Sequence, residues 1–324
     1  MRSLWLFLPS SLPHAADELA ALPGLARIVS RSKATIVAGR NLESVLLESF
    51  GVQRQRDWPV APFGWVGEAG EPGQRYWLRA DPVHLRAERD ALLLVDARHF
   101  PLDAESAEAL VQALNAHFES DGMQFFAPAA TRWYVAVDQM PEIATASLRA
   151  ATGRSIDPLL PAGADALAWH RHFNEIQMLF HSHPVNELRE TAGHPTVNSV
   201  WFWGGGAISA AMPNAFSGVW ANDPVARGLA LVSGVGWAPL PSSAKQWLSQ
   251  ANQGQHLLML DHTGPGNPID RQERDWFVPL LGALRDRQLA RLTLLAARGE
   301  ETLRLELSAG DLWKFWRRAP ELAH

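Results

Sequence analysis

The stretch HSHPVNELRETAGHPTVNSVWFWGGG, His181 to Gly206, gathers the side chains best suited to holding an anion. Arg189 offers a forked, permanently charged donor set that matches phosphate or carboxylate. Asn186 lies three residues earlier, shares a helix face with it and adds a neutral donor. Gly204, Gly205 and Gly206 could bring backbone N–H groups to the same anion with no side chain in the way. Two readings are open. In the functional one this is a substrate or phosphate cradle. In the plainer one the glycines turn the chain after a strand with a packed Trp pair, Asn186 braces a turn, and Arg189 pairs with Glu187 or Glu190. Such a surface pair is worth at most ~1 kcal/mol.

Other chemistry-bearing residues are sparser. His170, His172, His181 and His183 make a histidine-dense region, but His170 and His172 stand two apart on a presumed helix and point to different faces. Asp261 and His262 end an apolar strand, with Asp270 nearby. Carboxyl ends of parallel strands are where α/β sites gather, so Asp261 and His262 are the candidate cation ligands; the alternative is that Asp261 caps the next turn. Ser10 and Ser11 follow the first strand with no base or cation nearby in sequence to activate them. There is no Gly-x-Ser-x-Gly elbow, and Gly39-Arg40-Asn41 is not followed by the Lys-Ser/Thr of a phosphate loop.

The elements that must position these residues alternate between strand and helix, which predicts an α/β fold. Leu4–Leu8 reads as the first, buried strand. Ala15–Leu22 and Asn41–Phe50 read as helical, the latter capped by Asn41. The segment 54–74, rich in Pro, Gly and Trp, reads as a long surface loop. Strands at 76–85 and 91–96 precede a helix over 104–118 capped by Asp103, then a strand pair at 123–127 and 132–137. Helices are expected over 142–152 and 167–181, a short helix then starts at Pro184, and 197–203 is a strand that the glycines follow. Strands at 256–261, 292–296 and 302–307, with helices near 241–252, 270–287 and 309–316, complete the reading.

A chain of 324 residues is long enough for one large or two moderate domains. The net charge of −5 and the scattered arginines give no basic tract, so nucleic acid is not an expected partner. No apolar run reaches the ~18 residues of a membrane span, so no membrane partner is expected either. LWLFL after Arg2 stops at Pro9, too short for a typical secretion signal. With no cysteine there is neither disulfide nor thiolate metal site, which fits a cytoplasmic location. The 14 Trp either pack the core and one face or form a recognition surface.

His183-Pro184-Val185-Asn186, then Arg189, then Gly193, Pro195 and Asn198, then Trp203, Gly204 and Gly206, resembles a segment of the archaeal-type cofactor-independent phosphoglycerate mutases. The likeness runs roughly from Arg75 to Arg318. Upstream, Asp96 and His99 echo that family's strand-end turn, and Arg132 is the nearest counterpart of its Tyr-Arg-His segment. With WFWGGG and the closing DLWKFWRR, the chain looks most like the RpfE-type bacterial regulatory proteins, divergent relatives of these mutases. The resemblance implies an alkaline-phosphatase-like sheet flanked by helices, built from residues 1–74 and 207–324, with an inserted α/β substrate-type domain at 75–206. It implies ligand-binding roles for Asn186, Arg189, Asn198, Gly204, Gly205, Gly206, Arg132 and Asp96.

The family's chemistry uses two metal ions and a serine nucleophile, with ligands placed after successive strands. Here Pro9 stands where Asp-Gly is expected, DHTGPGNPID replaces the His- and Asp-rich cluster after LLML, and LTLLAARGE carries no Asp-His pair. The expected protein is therefore a regulatory or ligand-sensing relative without catalytic residues, cofactor or metal. Its expected partners are a small phosphorylated acid or another protein. The alternatives are an active phosphotransferase with relocated ligands and a structural partner that uses a Trp-rich surface.

Overall fold

The computed structural model describes residues 1–13, 16–68, 70–89, 91–208, 216–261 and 268–314. The chain divides into two compact units, one made of residues 1–52 with 211–324, the other of residues 53–210.

The first unit is built on a seven-stranded sheet. Its order is Trp237–Ala238, Gly218–Trp220, Gly254–Met259, Arg2–Leu8, Leu289–Arg298, Glu301–Ser308 and Lys33–Val37. The first five are mutually parallel; Glu301–Ser308 runs antiparallel to both of its neighbours. Arg2–Leu8 is central, and its near-continuous apolar run follows from burial on both faces. Leu4, Leu6 and Leu8 are fully buried with helices Pro23–Arg31, Ala244–Gln250 and Val278–Arg285. On the other face Trp5 packs edge-on against Phe216, which also meets Phe50 after helix Leu42–Ser49. Asn41 caps that helix, accepting from the Ser44 N–H at 3.0 Å. Helix Pro23–Arg31 starts with Pro at its first turn, and its next two N–H groups, of Gly24 and Leu25, donate to the buried carboxylate of Glu273. Glu273 sits in a π-helical turn, Glu273–Phe277, that interrupts the helix expected over 270–287.

His256 is a buried titratable residue of this unit. Its Nε2 is 2.9 Å from the Asn252 carbonyl, and its Nδ1 accepts from the Trp220 indole N–H at 3.4 Å. Those two partners fit the neutral ring, with the proton on Nε2. Burial lowers its pKa; the Asn252 hydrogen bond opposes the shift and the charge of Arg2 adds to it. A depressed folded-state pKa means the unfolded chain binds the extra proton, so stability is present above the ordinary value near 6.5 and falls as pH falls below it. Urea unfolding of the parent is expected to lose up to about 1.4 kcal/mol per pH unit in that range through this residue. His183, in the second unit, is shifted in the same direction by burial. The comparison that isolates His256 is therefore the difference in slope between the parent and His256→Leu, which is expected to be flatter; equal slopes would refute the assignment.

The second unit has an antiparallel sheet around the long strand Tyr76–Glu88. Along one edge it pairs first with Arg132–Val137, which continues to Met123–Ala129, and then with Ala91–Asp96. Along the other edge it pairs with Ser199–Gly206. Helices Ala104–Phe118 and Ala166–His181 cover one face through Leu110, Leu114, Phe118, Ile176 and Phe180, packed on Phe125, Val135 and Phe202. Asp103 caps the first of these helices, accepting from the Ser106 N–H at 2.7 Å. The other face is covered by helix Val60–Glu68, over Trp77, Tyr134 and Ala136.

That helix replaces the surface loop expected over 54–74. Pro62 lies in its first turn, where it costs no hydrogen bond, and Val60, Ala61 and Phe63 are buried. Gly64 marks a close approach: a Cβ there would lie 2.7 Å from the Tyr134 hydroxyl. Burial overrides the poor helix propensity of the segment. The helix expected over 142–152 is instead a two-residue strand, Ile143–Ala144, and one turn, Leu148–Ala151, started by Ser147. Among the described residues no helix is long and apolar enough to cross a membrane.

Candidate functional site

Helix Pro184–Thr191 begins where its sequence directs, with Pro184 at the first position and the His183 ring accepting from the Val185 N–H. Asn186 and Arg189 share a face, as expected, and that face points inward: they are 2% and 6% exposed. The Asn186 amide donates to the Phe180 and Val197 carbonyls at 2.8 and 2.9 Å, and its oxygen accepts from the Val197 N–H at 2.9 Å. Arg189 donates through Nε and Nη2 to the Pro195 carbonyl at 2.9 and 2.7 Å and lies over the Phe100 ring. The surface pairing with Glu187 or Glu190 is absent from its described contacts. Asn198 makes a reciprocal pair with Leu85, accepting from its N–H at 2.7 Å and donating to its carbonyl at 2.9 Å.

The glycines lie inside the strand Ser199–Gly206 rather than after it, and every residue of that strand is buried. The register slips between Trp77 and Arg79, and opposite the slip Gly204 has φ +65°, the left-handed conformation of a glycine bulge. A Cβ on Gly205 would strike the Tyr76 hydroxyl, and one on Gly206 would strike Pro59. The Gly205 N–H does hydrogen-bond a carboxylate, but it is the chain's own Asp57, which also accepts from the Thr145 N–H and hydroxyl. Burial raises the Asp57 pKa above its ordinary value against the lowering effect of those hydrogen bonds. Val197 and Gly205 stand roughly 25 Å apart along an extended strand. Arg189 with Asn186 and the glycine run therefore cannot face one small anion.

Two further positions suggested by the resemblance also sit in ion pairs. Arg132 bonds Glu68 through Nε. Asp96 is buried, caps the short helix Ala97–His99 by accepting from the Arg98 N–H, and pairs with the Arg98 guanidinium. Burial raises the pKa of Asp96, but the Arg98 interactions outweigh it and lower the value overall.

A denser polar cluster escaped the sequence reading. Arg79 and Asp81 alternate along Tyr76–Glu88, so both point to the same face, and they form a buried ion pair. Asp81 also accepts from the Trp133 N–H at 3.2 Å and the Trp203 indole N–H at 2.7 Å. The Arg79 guanidinium lies over the Tyr134 and Trp203 rings. Opposite charges two apart in the otherwise apolar first half of this strand, just after Trp77, were the available signal.

In the first unit the carboxyl edge of the parallel sheet brings Asp261, after Gly254–Met259, to Asn222, after Gly218–Trp220. The Asn222 amide donates to the Asp261 carboxylate at 2.7 Å, and its oxygen accepts from the Leu240 N–H. Asn222 was not anticipated, because WANDP reads as an ordinary turn. His262 lies outside the described residues. Leu289–Arg298 passes through a two-residue turn into Glu301–Ser308, with Arg298 directly opposite Glu301. Among the described residues no three His, Asp or Glu side chains are grouped to hold a metal ion. His170 contacts the Pro161 carbonyl and His172 packs edge-on against Phe118 and Trp169, so they diverge. Most Trp are buried or half-buried; Trp313, 78% exposed, is the outlier among the described residues.

The architecture is that of a mixed α/β protein with a helix-flanked, mainly parallel sheet and a second antiparallel unit. Its solved neighbours include the cofactor-independent phosphoglycerate mutase from Thermoplasma acidophilum DSM 1728 (17% identity, TM-score 0.47, 96% of this chain and 90% of that one). They also include the PH0037 protein from Pyrococcus horikoshii (13% identity, TM-score 0.52, 98% of this chain and 89% of that one). The second likeness shows a shared fold. No family model and no curated protein matches the sequence.

Proposed function

We propose that this chain is a regulatory or ligand-sensing relative of the cofactor-independent phosphoglycerate mutases, of the RpfE-type, with an alkaline-phosphatase-like sheet that has given up phosphoryl transfer. The observation that carries the reading is the carboxyl edge of the parallel sheet. Mutase chemistry of the family type needs two cations held by several oxygen and imidazole ligands at about 2–2.3 Å, plus a serine nucleophile. The central strand Arg2–Leu8 here delivers Pro9-Ser10-Ser11. The neighbouring strand ends in a tight hairpin at Arg298–Glu301, which leaves no loop for ligands. Asp261 is held by Asn222. The described residues do not fit a two-metal centre. A small phosphorylated acid or a protein is the proposed partner, and the absence of cysteine suits a reducing cytoplasm.

Purified, dialysed protein is expected to carry no stoichiometric manganese or zinc by elemental analysis. It is also expected to show no manganese-dependent interconversion of 2- and 3-phosphoglycerate in a coupled assay. Turnover of about one per second or faster, an ordinary enzymatic rate, would overturn the reading in favour of an active enzyme with relocated ligands.

A further inference from the structure

A cavity of about 500 Å³ opens in the first unit between helix Pro23–Arg31, helix Val278–Arg285 and the turn Ala309–Trp313. Its lining includes Arg27, Arg31, Arg285, Arg287, Leu312 and Trp313, and no carboxylate. The size falls within the range of about 300–1,000 Å³ of small-molecule sites. The two helices lead into the starts of strands Lys33–Val37 and Leu289–Arg298, and the turn leaves the end of Glu301–Ser308, which lies opposite Arg291. The cavity therefore lies at the amino edge of the parallel strands, the opposite edge from Asp261 and Ser10.

Four arginines converge here in a chain whose net charge is −5. Arg27, Arg285 and Arg287 are exposed and enter no ion pair among the described residues. The nearest acids in sequence are Asp286, exposed, and Asp311, which is engaged by Ser308 and Lys314. Part of the arrangement has an ordinary explanation: Arg31 and Arg285 end their helices, where cations suit the macrodipole. That account does not reach Arg287. Helix Val278–Arg285 closes with a Schellman motif, in which the Arg287 N–H donates to the Leu284 carbonyl and the Gln288 N–H to the Ala283 carbonyl. Arg287 occupies the left-handed position of that motif, φ +56°, and is the single non-glycine residue recorded with positive φ among the described residues. Glycine is the favoured residue there, and a side chain strains the backbone. A guanidinium held at a local conformational cost beside three others points to a use for its charge. Trp313 adds a planar, 78% exposed surface on the same cavity, the means by which proteins stack a flat ring.

We propose that this cavity is a binding site for a mononucleotide carrying at least two phosphates, its phosphates held by Arg27, Arg31, Arg285 and Arg287 and its base stacked on Trp313. The cavity is on the opposite edge of the sheet from Asp261 and Ser10, so binding there does not depend on whether that other edge catalyses anything.

Calorimetric titration of the full chain with adenosine diphosphate, pyrophosphate and adenosine tests it. Adenosine diphosphate is expected to bind at one site, and each half-ligand at least about tenfold more weakly. Arg287→Gly is the informative variant, because glycine is the better residue for the backbone. Its thermal midpoint is expected to equal or exceed the parent's while the Kd for adenosine diphosphate rises at least about tenfold. Trp313→Ala is expected to weaken adenosine diphosphate and leave pyrophosphate unchanged. An Arg287→Gly protein that binds like the parent, pyrophosphate bound as tightly as the nucleotide, or no binding of adenosine diphosphate at millimolar concentration would each overturn the proposal.

Discussion

Replacing Asp81 by alanine is expected to destabilise the second unit by about 3–5 kcal/mol, the usual cost of breaking a buried ion pair by removing one partner. Asp81 is 1% exposed and Arg79 is 8% exposed, so water cannot take over from the missing carboxylate. The loss reaches three donors at once: the Arg79 guanidinium, the Trp133 N–H and the Trp203 indole. These groups tie three strands together, since Trp133 belongs to Arg132–Val137 and Trp203 to Ser199–Gly206, on opposite edges of Tyr76–Glu88. Asp81→Asn keeps an acceptor for the indole and is expected to cost less than alanine. Urea denaturation followed by Trp fluorescence reads the effect near its source. An Asp81→Ala protein within about 1 kcal/mol of the parent, the range of an exposed pair, would show that the cluster is not what fixes these strands.

Local signals carried much of the fold. The apolar run of Leu4–Leu8 marked a doubly covered strand, and Asn41 and Asp103 marked helix starts that the hydrogen bonds bear out. Misreadings fell where tertiary packing decides. Segment 60–68 contains one Pro and two Gly and only Ala61 and Glu68 as strong helix formers, yet its burial over Trp77 and Tyr134 makes it a helix. The glycines of Gly204–Gly206 read as a loop because glycine permits one. Gly204 takes the left-handed turn of the bulge, and Gly205 and Gly206 leave room for Tyr76 and Pro59, more than a hundred positions earlier in the chain. The arginine cavity was invisible for a similar reason: Arg27 and Arg31 meet Arg285 and Arg287 only after the sheet has closed. What the sequence shows without ambiguity is residue type at a strand end, which is why Pro9 and the turn after Arg298 weigh more in the functional reading than any single matched motif position.

Those matched positions can be tested directly, and Asn186 gives the clearest result. Asn186→Ala is expected to cost about 3 kcal/mol, from three buried hydrogen bonds at about 1 kcal/mol each and the groups left without partners. Those groups are the Phe180 carbonyl and both backbone groups of Val197, in a region where Asn186 itself is 2% exposed. Arg189→Ala is expected to cost about 1.5–3 kcal/mol, the range for hydrogen bonds to a charged group, because its guanidinium clamps the Pro195 carbonyl over Phe100. Both losses belong to the ligand-free protein. A ligand-binding role predicts the reverse pattern. There, a phosphorylated acid such as 3-phosphoglycerate at a hundred times its Kd would stabilise the parent by ~2.7 kcal/mol; Arg189→Ala would abolish that gain while leaving ligand-free stability near the parent's. The geometry favours bracing: the two side chains spend their polar atoms on the chain segment that leads from the helix into Ser199–Gly206, and so set where that strand enters the sheet. Thermal-shift and urea measurements on the parent and both variants, with and without 3-phosphoglycerate, separate the two patterns. Variants that keep the parent's ligand-free stability and lose only the ligand response would return Asn186 and Arg189 to an anion site.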